Sequence, residues 1–160
     1  MRQFGLIGRN ISYSFSQSYF TEKFKNENIV DCIYNVFDLK EIEEVEKVFN
    51  TENLVGFNVT IPYKQEIIPY LDELSAEAKA IGAVNTVLIK DGKRIGHNTD
   101  CYGFHHSILP LLQQNHTKAL VLGNGGAAKA VFYILNLLNI DFKIVARNPT
   151  ENQLSYEEID

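Results

Sequence analysis

Two polar side chains and a lysine stand together in one apolar segment, Gly56 to Lys64. Successive side chains of an extended chain alternate between faces, so Asn58 and Thr60 point to the same side. Pro62 cannot donate to a sheet ladder, so the strand ends there and Lys64 reaches its carboxyl end, where open α/β sheets bind ligands. A ligand bound there would lie within reach of the lysine amine. A half-buried strand with a surface lysine is the alternative interpretation.

A loop between a short apolar strand and the first predicted helix carries Ser14 and Ser16. Their i, i+2 spacing allows both hydroxyl groups to face one anionic group. One of them could instead cap the helix that we expect to begin near Gln17, because serine is a preferred N-cap residue. A helix needs only one such cap, so the pair of serines indicates an anion-binding loop.

Two further polar segments flank Asp91-Gly92, the turn signal of a predicted β-hairpin. Asn85 lies in the first, Gly-Ala-Val-Asn-Thr, and Asp100 closes the second, Asn-Thr-Asp. The candidate site therefore contains hydroxyl groups, amides, one amine and one carboxylate. This set of donors and acceptors suits a small polyhydroxy acid.

In this order and spacing, the segments resemble the shikimate dehydrogenase family, whose members reduce 3-dehydroshikimate with NADPH in aromatic amino-acid biosynthesis. The resemblance rests on the Ser-x-Ser loop, Asn-Val-Thr-x-Pro-x-Lys, Gly-Ala-Val-Asn-Thr, Asn-Thr-Asp and a later glycine loop. It implies that the substrate is bound by Ser14, Ser16, Asn58, Thr60, Lys64, Asn85 and Asp100. It also implies that Lys64 and Asp100 form the catalytic pair, and leaves open which of them exchanges the proton. The serine loop departs from the family pattern at Asn10, which replaces a usual proline, and at Tyr13, Gln17 and Phe20.

The glycine loop follows an apolar strand and opens an apolar helix, as in a dinucleotide-binding βαβ unit. Gly123, Gly125 and Ala128 fill the G-x-G-x-x-G/A positions, where small residues let backbone N–H groups approach a pyrophosphate. The predicted cofactor-binding residues are Gly123, Asn124, Gly125, Gly126, Ala127, Ala128, Arg147 and Asn148.

The residues after the next strand bear on the choice of dinucleotide. Enzymes that use NAD place an acid there, whereas Arg147 favours a 2′-phosphate and therefore NADP. A merely solvated arginine is the alternative. Glu151 stands where the family commonly has a second basic residue, which leaves NAD open.

The alternation of apolar segments predicts an α/β fold with a mostly parallel sheet, followed by the first strand–helix–strand of a Rossmann-like domain. We expect strands near 2–8, 31–38, 54–61, 118–122 and 141–146, a hairpin of 83–89 and 94–99, and helices near 17–27, 40–49, 76–81, 102–113 and from the glycine loop to 138. The substrate-binding and catalytic domain is predicted to cover 1–101, and a partial Rossmann domain 102–160.

Family members continue past the second strand of the nucleotide domain, so the resemblance predicts that this chain is a shortened form. We expect the apolar helix from Ala127 to Leu138 to be uncovered and the edge strand from Phe142 to Ala146 to be open. We therefore expect the 160-residue chain to be a monomer or a homodimer that can self-associate. We also expect it to show little or no dehydrogenase activity.

Composition excludes several other classes of protein. A net charge of -5 without a basic cluster argues against nucleic acid or an anionic membrane as partner. The apolar runs are too short to cross a bilayer and the first residues lack a signal-peptide core, so a cytoplasmic protein is expected. Cys32 and Cys101 are far apart and the histidines lack ligand spacing, so no redox motif or metal site is predicted.

Two alternatives to a shikimate dehydrogenase stay open. One is a quinate/shikimate dehydrogenase with broader substrate use. The other is a non-catalytic, ligand-sensing relative, against which the retained Lys64 and Asp100 argue.

Overall fold

A computed structural model describes residues 1–159, which form two sheets with helices packed on them. The six strands of the first sheet lie in the order β2-β1-β3-β5-β6-β4. Their bounds are Arg2–Gly8 (β1), Cys32–Asp38 (β2), Leu54–Val59 (β3), Glu73–Leu74 (β4), Thr86–Lys90 (β5) and Lys93–His97 (β6). The second sheet has the order β7-β8-β9, with strands Lys118–Leu122 (β7), Asp141–Val145 (β8) and Gln153–Leu154 (β9).

Residues 1–159 contain five α-helices, which are Ser16–Asn26 (α1), Val45–Phe49 (α2), Ala76–Ile81 (α3), Asp100–Ile108 (α4) and Gly126–Leu137 (α5). Short 3₁₀ turns cover Ile42–Glu44, Ile68–Tyr70, Leu109–Leu111 and Tyr156–Glu158. None of the helices among residues 1–159 has the length and apolar character needed to cross a membrane.

The predicted α/β fold with a mostly parallel sheet is confirmed. Strand β1 pairs in parallel with β2 and β3, and β4 pairs in parallel with β6. Among the strands that the structure describes, only the hairpin strand β5 runs antiparallel to its two neighbours. Its turn residues Asp91 and Gly92 both have positive φ, at 52° and 76°, as the primed turns of tight hairpins require.

Two predicted helices have different bounds in the structure. The segment 40–49 starts as a 3₁₀ turn at Ile42, behind a reciprocal capping box between Glu41 and Glu44, and only then becomes α2. Helix α4 begins two residues earlier than predicted, at Asp100, and gives way to a 3₁₀ turn that contains Pro110. A proline inside a helix removes a backbone donor, which explains the early end.

The apolar core lies mainly on one face of the six-stranded sheet, where Ile7 and Tyr63 have no exposed surface. A smaller cluster on the other side joins Leu6 and Tyr34 to the aromatic residues of α1. A third cluster connects α3, α4 and α5 through Ile81, Cys101 and Ile134. Because this third cluster spans 1–101 and 102–160, the predicted division at residue 101 stays a prediction.

The expectation of an uncovered α5 is wrong. Ala130, Ile134 and Leu135 of α5 are buried, because the helix packs against α3, α4 and the second sheet. The strand β8 is not an open edge either, since β7 flanks it on one side and the two-residue strand β9 on the other.

The exposed apolar surface of the second sheet lies on β7 instead. The register places Ala119 beside Phe142, whose ring stacks on Phe132 of α5, so this face of the sheet is covered. Side chains alternate along a strand, and Leu120 and Leu122 therefore point to the opposite face. They are 51% and 63% exposed.

Candidate active site

An ion pair between Lys64 and Asp100 forms the centre of the candidate site, with Nζ and Oδ2 2.6 Å apart. The side chains are 16% and 34% exposed, so the pair is largely withdrawn from water. The backbone of Lys64 is held because its carbonyl accepts from Val84 N at 2.7 Å. The preceding Tyr63 is fully buried and donates its hydroxyl to the carbonyl of Leu39.

The carboxylate of Asp100 is fixed from a second side. Asn85 Nδ2 donates to Oδ1 of Asp100 at 2.8 Å, so each carboxylate oxygen has one partner. Asp100 is also the first residue of α4, where the helix dipole favours a negative charge. Asn85 in turn accepts from the backbone N–H of Thr99 at 2.8 Å.

The neighbouring Asn98 has a structural role. Its side chain is 5% exposed, donates to the carbonyl of Ala83 and accepts from the backbone N–H of Cys101. These bonds hold the turn that leads from β6 into α4. The Asn-Thr-Asp segment thus contributes its last residue to the ion pair and uses its first to set the turn.

A second set of polar side chains lies on β3, β5 and β2. Asn58 donates to Thr86 Oγ1 at 3.3 Å and accepts from the hydroxyl of Tyr34 at 2.8 Å. Tyr34 is 4% exposed and stacks on Phe20 at 4.4 Å between ring centroids. Burial raises the pKa of Tyr34 to about 12, and a hydrogen bond with Ser16 opposes that shift.

The serine loop is held by Asp38, whose carboxylate accepts from the backbone N–H groups of Asn10 and Ile11. Asn10 has a φ of 55°, which proline cannot adopt, so the departure from the family pattern has a backbone reason. Ser14 accepts from the backbone N–H of Ser16 at 3.2 Å, whereas the N-cap position of α1 is Phe15 and has no side-chain capping bond. The oxygen is the acceptor in that bond, so the hydroxyl proton of Ser14 is still free to be donated.

Thr60 follows Asn58 by two residues and is half-buried. A Cβ atom added at Gly8 would lie only 2.5 Å from the methyl group of Thr60. Because Gly8 has no side chain, β1 and β3 can approach each other at their carboxyl ends. The structure therefore joins Asn58, Lys64 and Asn85 with Asp100 through hydrogen bonds, while Thr60 and Ser14 belong to adjacent backbone segments.

The glycine loop begins directly after β7 and lies against the ion pair. Gly123 has a φ of 121°, which a residue with a side chain rarely adopts. A Cβ on Gly125 would meet nothing within 4 Å, which leaves space for a ligand at the start of α5. A Cβ on Gly126 would be 3.1 Å from Cβ of Lys64, so α5 starts in contact with the lysine.

The other predicted cofactor residues surround this helix start. Ala127 and Ala128 form the first turn of α5, and Asn124 donates to Gln153 Oε1 at 3.2 Å. Arg147 and Asn148 are exposed and follow β8. A second contact connects α5 with the segment after β3, since Lys129 of α5 donates to Gln65 Oε1 at 2.6 Å.

Three side chains that hydrogen-bond to Asn58 or Asn85 were not predicted as parts of the site: Tyr34, Thr86 and Thr99. Thr86 and Thr99 lie inside the segments that carry Asn85 and Asp100, so their spacing was visible in the sequence. Tyr34 lies 24 residues from its partner Asn58, and nothing local marks it. No group of three or more His, Cys, Asp or Glu side chains within residues 1–159 could hold a metal ion.

Residues 6–87 match the family described as the shikimate dehydrogenase substrate binding domain. The chain belongs to this family. A relative from Clostridium botulinum strain Hall, named shikimate dehydrogenase (NADP(+)), is 43% identical over 158 residues, which is 96% of this chain and 61% of the relative. The chain thus spans about three fifths of the length of the curated family members it matches.

Solved structures of the family superpose on almost the whole chain. Shikimate dehydrogenase 1 from Peptoclostridium difficile has a TM-score of 0.85 and 34% identity, covering 99% of this chain and 62% of its own. Shikimate 5-dehydrogenase from Thermus thermophilus, in complex with NADP(H) and shikimate, has a TM-score of 0.80 and 30% identity, covering 93% and 57%.

Proposed function

We propose that this chain carries the substrate site and the first nucleotide-binding unit of a shikimate dehydrogenase, which reversibly reduces 3-dehydroshikimate to shikimate with NADPH. The observation that carries this proposal is the Lys64–Asp100 ion pair, held at 2.6 Å at the carboxyl end of β3 and against the glycine loop. Membership of the family and the names of the relatives support it.

The chemistry follows from the positions of the two charged groups. NADPH held at the glycine loop between Gly123 and Ala128 would supply the hydride for the carbonyl carbon of the substrate. The carbonyl oxygen then needs a proton, and Lys64 Nζ is the donor best placed to give it. Asp100 keeps the ammonium group in place through a hydrogen bond at 2.6 Å. In the reverse direction the same pair accepts the hydroxyl proton.

The remaining side chains are proposed to bind the substrate. Ser14 and Ser16 would donate their hydroxyl protons to its carboxylate, with Tyr34 beside Ser16. Asn58, Thr60 and Asn85 would bind its hydroxyl groups. The hydrogen-bonded network around Asn85 and Asp100 orders these groups before the ligand arrives, which lowers the cost of binding.

The glycine loop fits a dinucleotide by its shape. The positive φ of Gly123, the open space at Gly125 and the start of the twelve-residue helix α5 would together receive a pyrophosphate. Ala127 and Ala128 keep the helix start free of bulk, and Asn124 flanks it. Arg147 and Asn148 would contact the 2′-phosphate of NADP, while Glu151 keeps NAD possible.

Several further properties belong to this proposal. They are a substrate domain over 1–101, a partial nucleotide domain over 102–160, a cytoplasmic location and a monomer or homodimer. The ligand-sensing alternative is less well supported, because a sensor has no need of the Lys64–Asp100 pair. A broader quinate/shikimate activity is distinguished below by the choice of ligand.

The binding test is a titration of the ¹⁵N-labelled chain with shikimate and with quinate, followed by NMR. We expect shikimate to shift signals of the serine loop, Asn58 and Asn85. The double variant Ser14→Ala/Ser16→Ala should bind shikimate far more weakly, since each hydrogen bond to a charged group contributes roughly 1.5 to 3 kcal/mol. The exposed Ser12→Ala is the matched control. Shifts caused by neither ligand would contradict the proposal, and equal affinities would favour the broader activity.

The turnover test measures NADPH formation from shikimate and NADP⁺ by absorbance. The 160-residue chain alone should show little turnover, because a dinucleotide extends over two βαβ halves and this sheet supplies one. A chimera that joins it to the part of the Clostridium botulinum relative that it does not cover should be active. Lys64→Ala in that chimera should lower turnover by about 10²- to 10⁴-fold. Undiminished turnover would remove Lys64 from the mechanism.

A further inference from the structure

We propose that Thr86 is a positioning residue of this site, whose hydroxyl group decides which atoms Asn58 presents to a ligand and supports the Asn85 amide. The hydroxyl group lies between the two amides. It accepts from Asn58 Nδ2 at 3.3 Å and donates to Asn85 Oδ1 at 3.1 Å. Thr86 thus connects the substrate-facing strand β3 with the segment that holds Asp100.

The strand register explains why the hydroxyl group is available there. Strands β3 and β5 pair antiparallel with Asn58 directly opposite Thr86, which places both side chains on the same face. Asn85 comes just before β5, so its side chain does not have to point to the face opposite that of Thr86. Its side chain can therefore reach the hydroxyl group of the next residue.

The orientation of the Asn85 amide follows from the chemistry of its partners. A carboxylate only accepts hydrogen bonds, so Nδ2 must be the atom that faces Asp100 at 2.8 Å. A backbone N–H only donates, so Oδ1 must be the atom that faces Thr99 N at 2.8 Å. These two partners leave one orientation of the amide.

The fixed Asn85 amide then determines the donor and the acceptor of each remaining hydrogen bond. Because Oδ1 of Asn85 is an acceptor, the Thr86 hydroxyl donates its only proton to it. The oxygen of that hydroxyl can then only accept from Asn58, so Asn58 turns Nδ2 toward Thr86 and Oδ1 toward Tyr34. The bonds run in one direction, from Tyr34 through Asn58, Thr86 and Asn85 to Asp100.

Removing the hydroxyl group interrupts this series at its middle. The Asn58 amide can then turn over and exchange its donor and acceptor toward the substrate hydroxyl groups, while Asn85 loses one of its partners. The effect on binding is expected to equal about one hydrogen bond, a roughly tenfold higher Kd for shikimate. This ligand effect rests on the proposed function, whereas the effect on the amides does not.

The test compares Thr86→Val, which keeps the shape and removes the hydroxyl group, with Thr86→Ser, which keeps the hydroxyl group. The readouts on the 160-residue chain are the side-chain amide NMR signals of Asn58 and Asn85 and the Kd for shikimate. The valine variant should shift both amide pairs and raise the Kd about tenfold, and the serine variant should restore both. The exposed Thr21→Val of α1 is the matched control and should change neither.

Each outcome has a distinct meaning. Unshifted amide signals in Thr86→Val would overturn the inference, as would shifts that Thr86→Ser fails to reverse. A wild-type chain that does not bind shikimate would contradict the proposed function, yet shifted amides would still support the role of Thr86. If the valine variant does not fold, Tyr34→Phe tests the other end of the series. It should shift the Asn58 amide more than the Asn85 amide, and equal shifts would overturn the inference.

Discussion

The two sheets of this protein differ in how completely their faces are covered. The first sheet buries Ile7 and Val59 on one side and carries α1 with its aromatic residues on the other. The second sheet has α5 on one face, whereas its other face exposes Leu120 and Leu122. The chain thus combines one well-packed sheet with one that is covered on a single side.

The candidate site divides along the same line. On the first sheet, side chains of β3 and β5 and of the loops beside them are fixed by hydrogen bonds within the protein, as for Asn58 and Asn85. On the second sheet, the glycine loop is shaped by its backbone, while Arg147 and Asn148 are exposed. Contacts within the protein therefore hold the proposed catalytic pair, whereas Arg147 and Asn148 of the proposed cofactor site are exposed.

The largest expected effect tests this contrast through stability. Ile7→Ala removes a side chain with no exposed surface and should lower the free energy of unfolding by about 2 to 5 kcal/mol. Leu120→Ala removes an isomeric side chain that is half exposed and should change it by less than about 0.5 kcal/mol. Urea unfolding followed by circular dichroism, at low protein concentration, measures both. Similar losses would show that the second sheet is covered after all.

A second, smaller effect concerns association between copies of the chain. The exposed Leu120 and Leu122 should bring two molecules together, and a buried leucine contributes roughly 1.5 to 3 kcal/mol. Leu120→Glu should therefore raise the dissociation constant of self-association about tenfold or more. The new carboxylate would lie next to Lys143, its register partner, which should preserve the fold. Sedimentation velocity provides the measurement.

The control for this prediction is Leu111→Glu. Leu111 is 72% exposed but lies on the 3₁₀ turn after α4 and is not part of the second sheet. The control variant should associate like the wild-type chain. A wild-type chain that is monomeric at all concentrations would contradict the prediction, and an equal effect of both variants would place the contact elsewhere.

Sequence predicted the elements that carry their own local signals. Helix α3 ends at Gly82 with a φ of 67°, and the hairpin turns at Asp91-Gly92, because both need residues that accept a left-handed backbone. The strands β4 and β9 were missed, since two residues each have no pattern and pair only because a longer strand passes beside them. The lysine and the carboxylate were predicted to share a site, and in the structure their side chains form an ion pair. Tyr34 was not, because its hydrogen bond depends on the packing of β2 beside β1.

The smallest expected effect tests the place where the two regions touch. Gly126 is the first residue of α5, and a Cβ there would lie 3.1 Å from Cβ of Lys64, so the lysine would have to move by a few tenths of an ångström. Gly126→Ala should therefore weaken shikimate binding only about two- to fivefold. This effect is smaller than that of adding atoms inside a packed core, because the lysine can move aside. The substitution should not lower stability, since alanine is the better helix former.

Gly125→Ala is the matched control, because its Cβ would meet nothing within 4 Å and its backbone is extended. This control should leave shikimate affinity and the NMR signals of Lys64 unchanged, whereas Gly126→Ala should shift those signals. The pair of variants separates contact with the lysine from a general disturbance of the glycine loop. Equal effects of the two variants on shikimate affinity would contradict the prediction, as would unchanged Lys64 signals in Gly126→Ala. Either result would mean that the second sheet does not help to position the lysine. The two regions would then meet without influencing each other, and the ion pair would be a property of the first sheet and α4 alone.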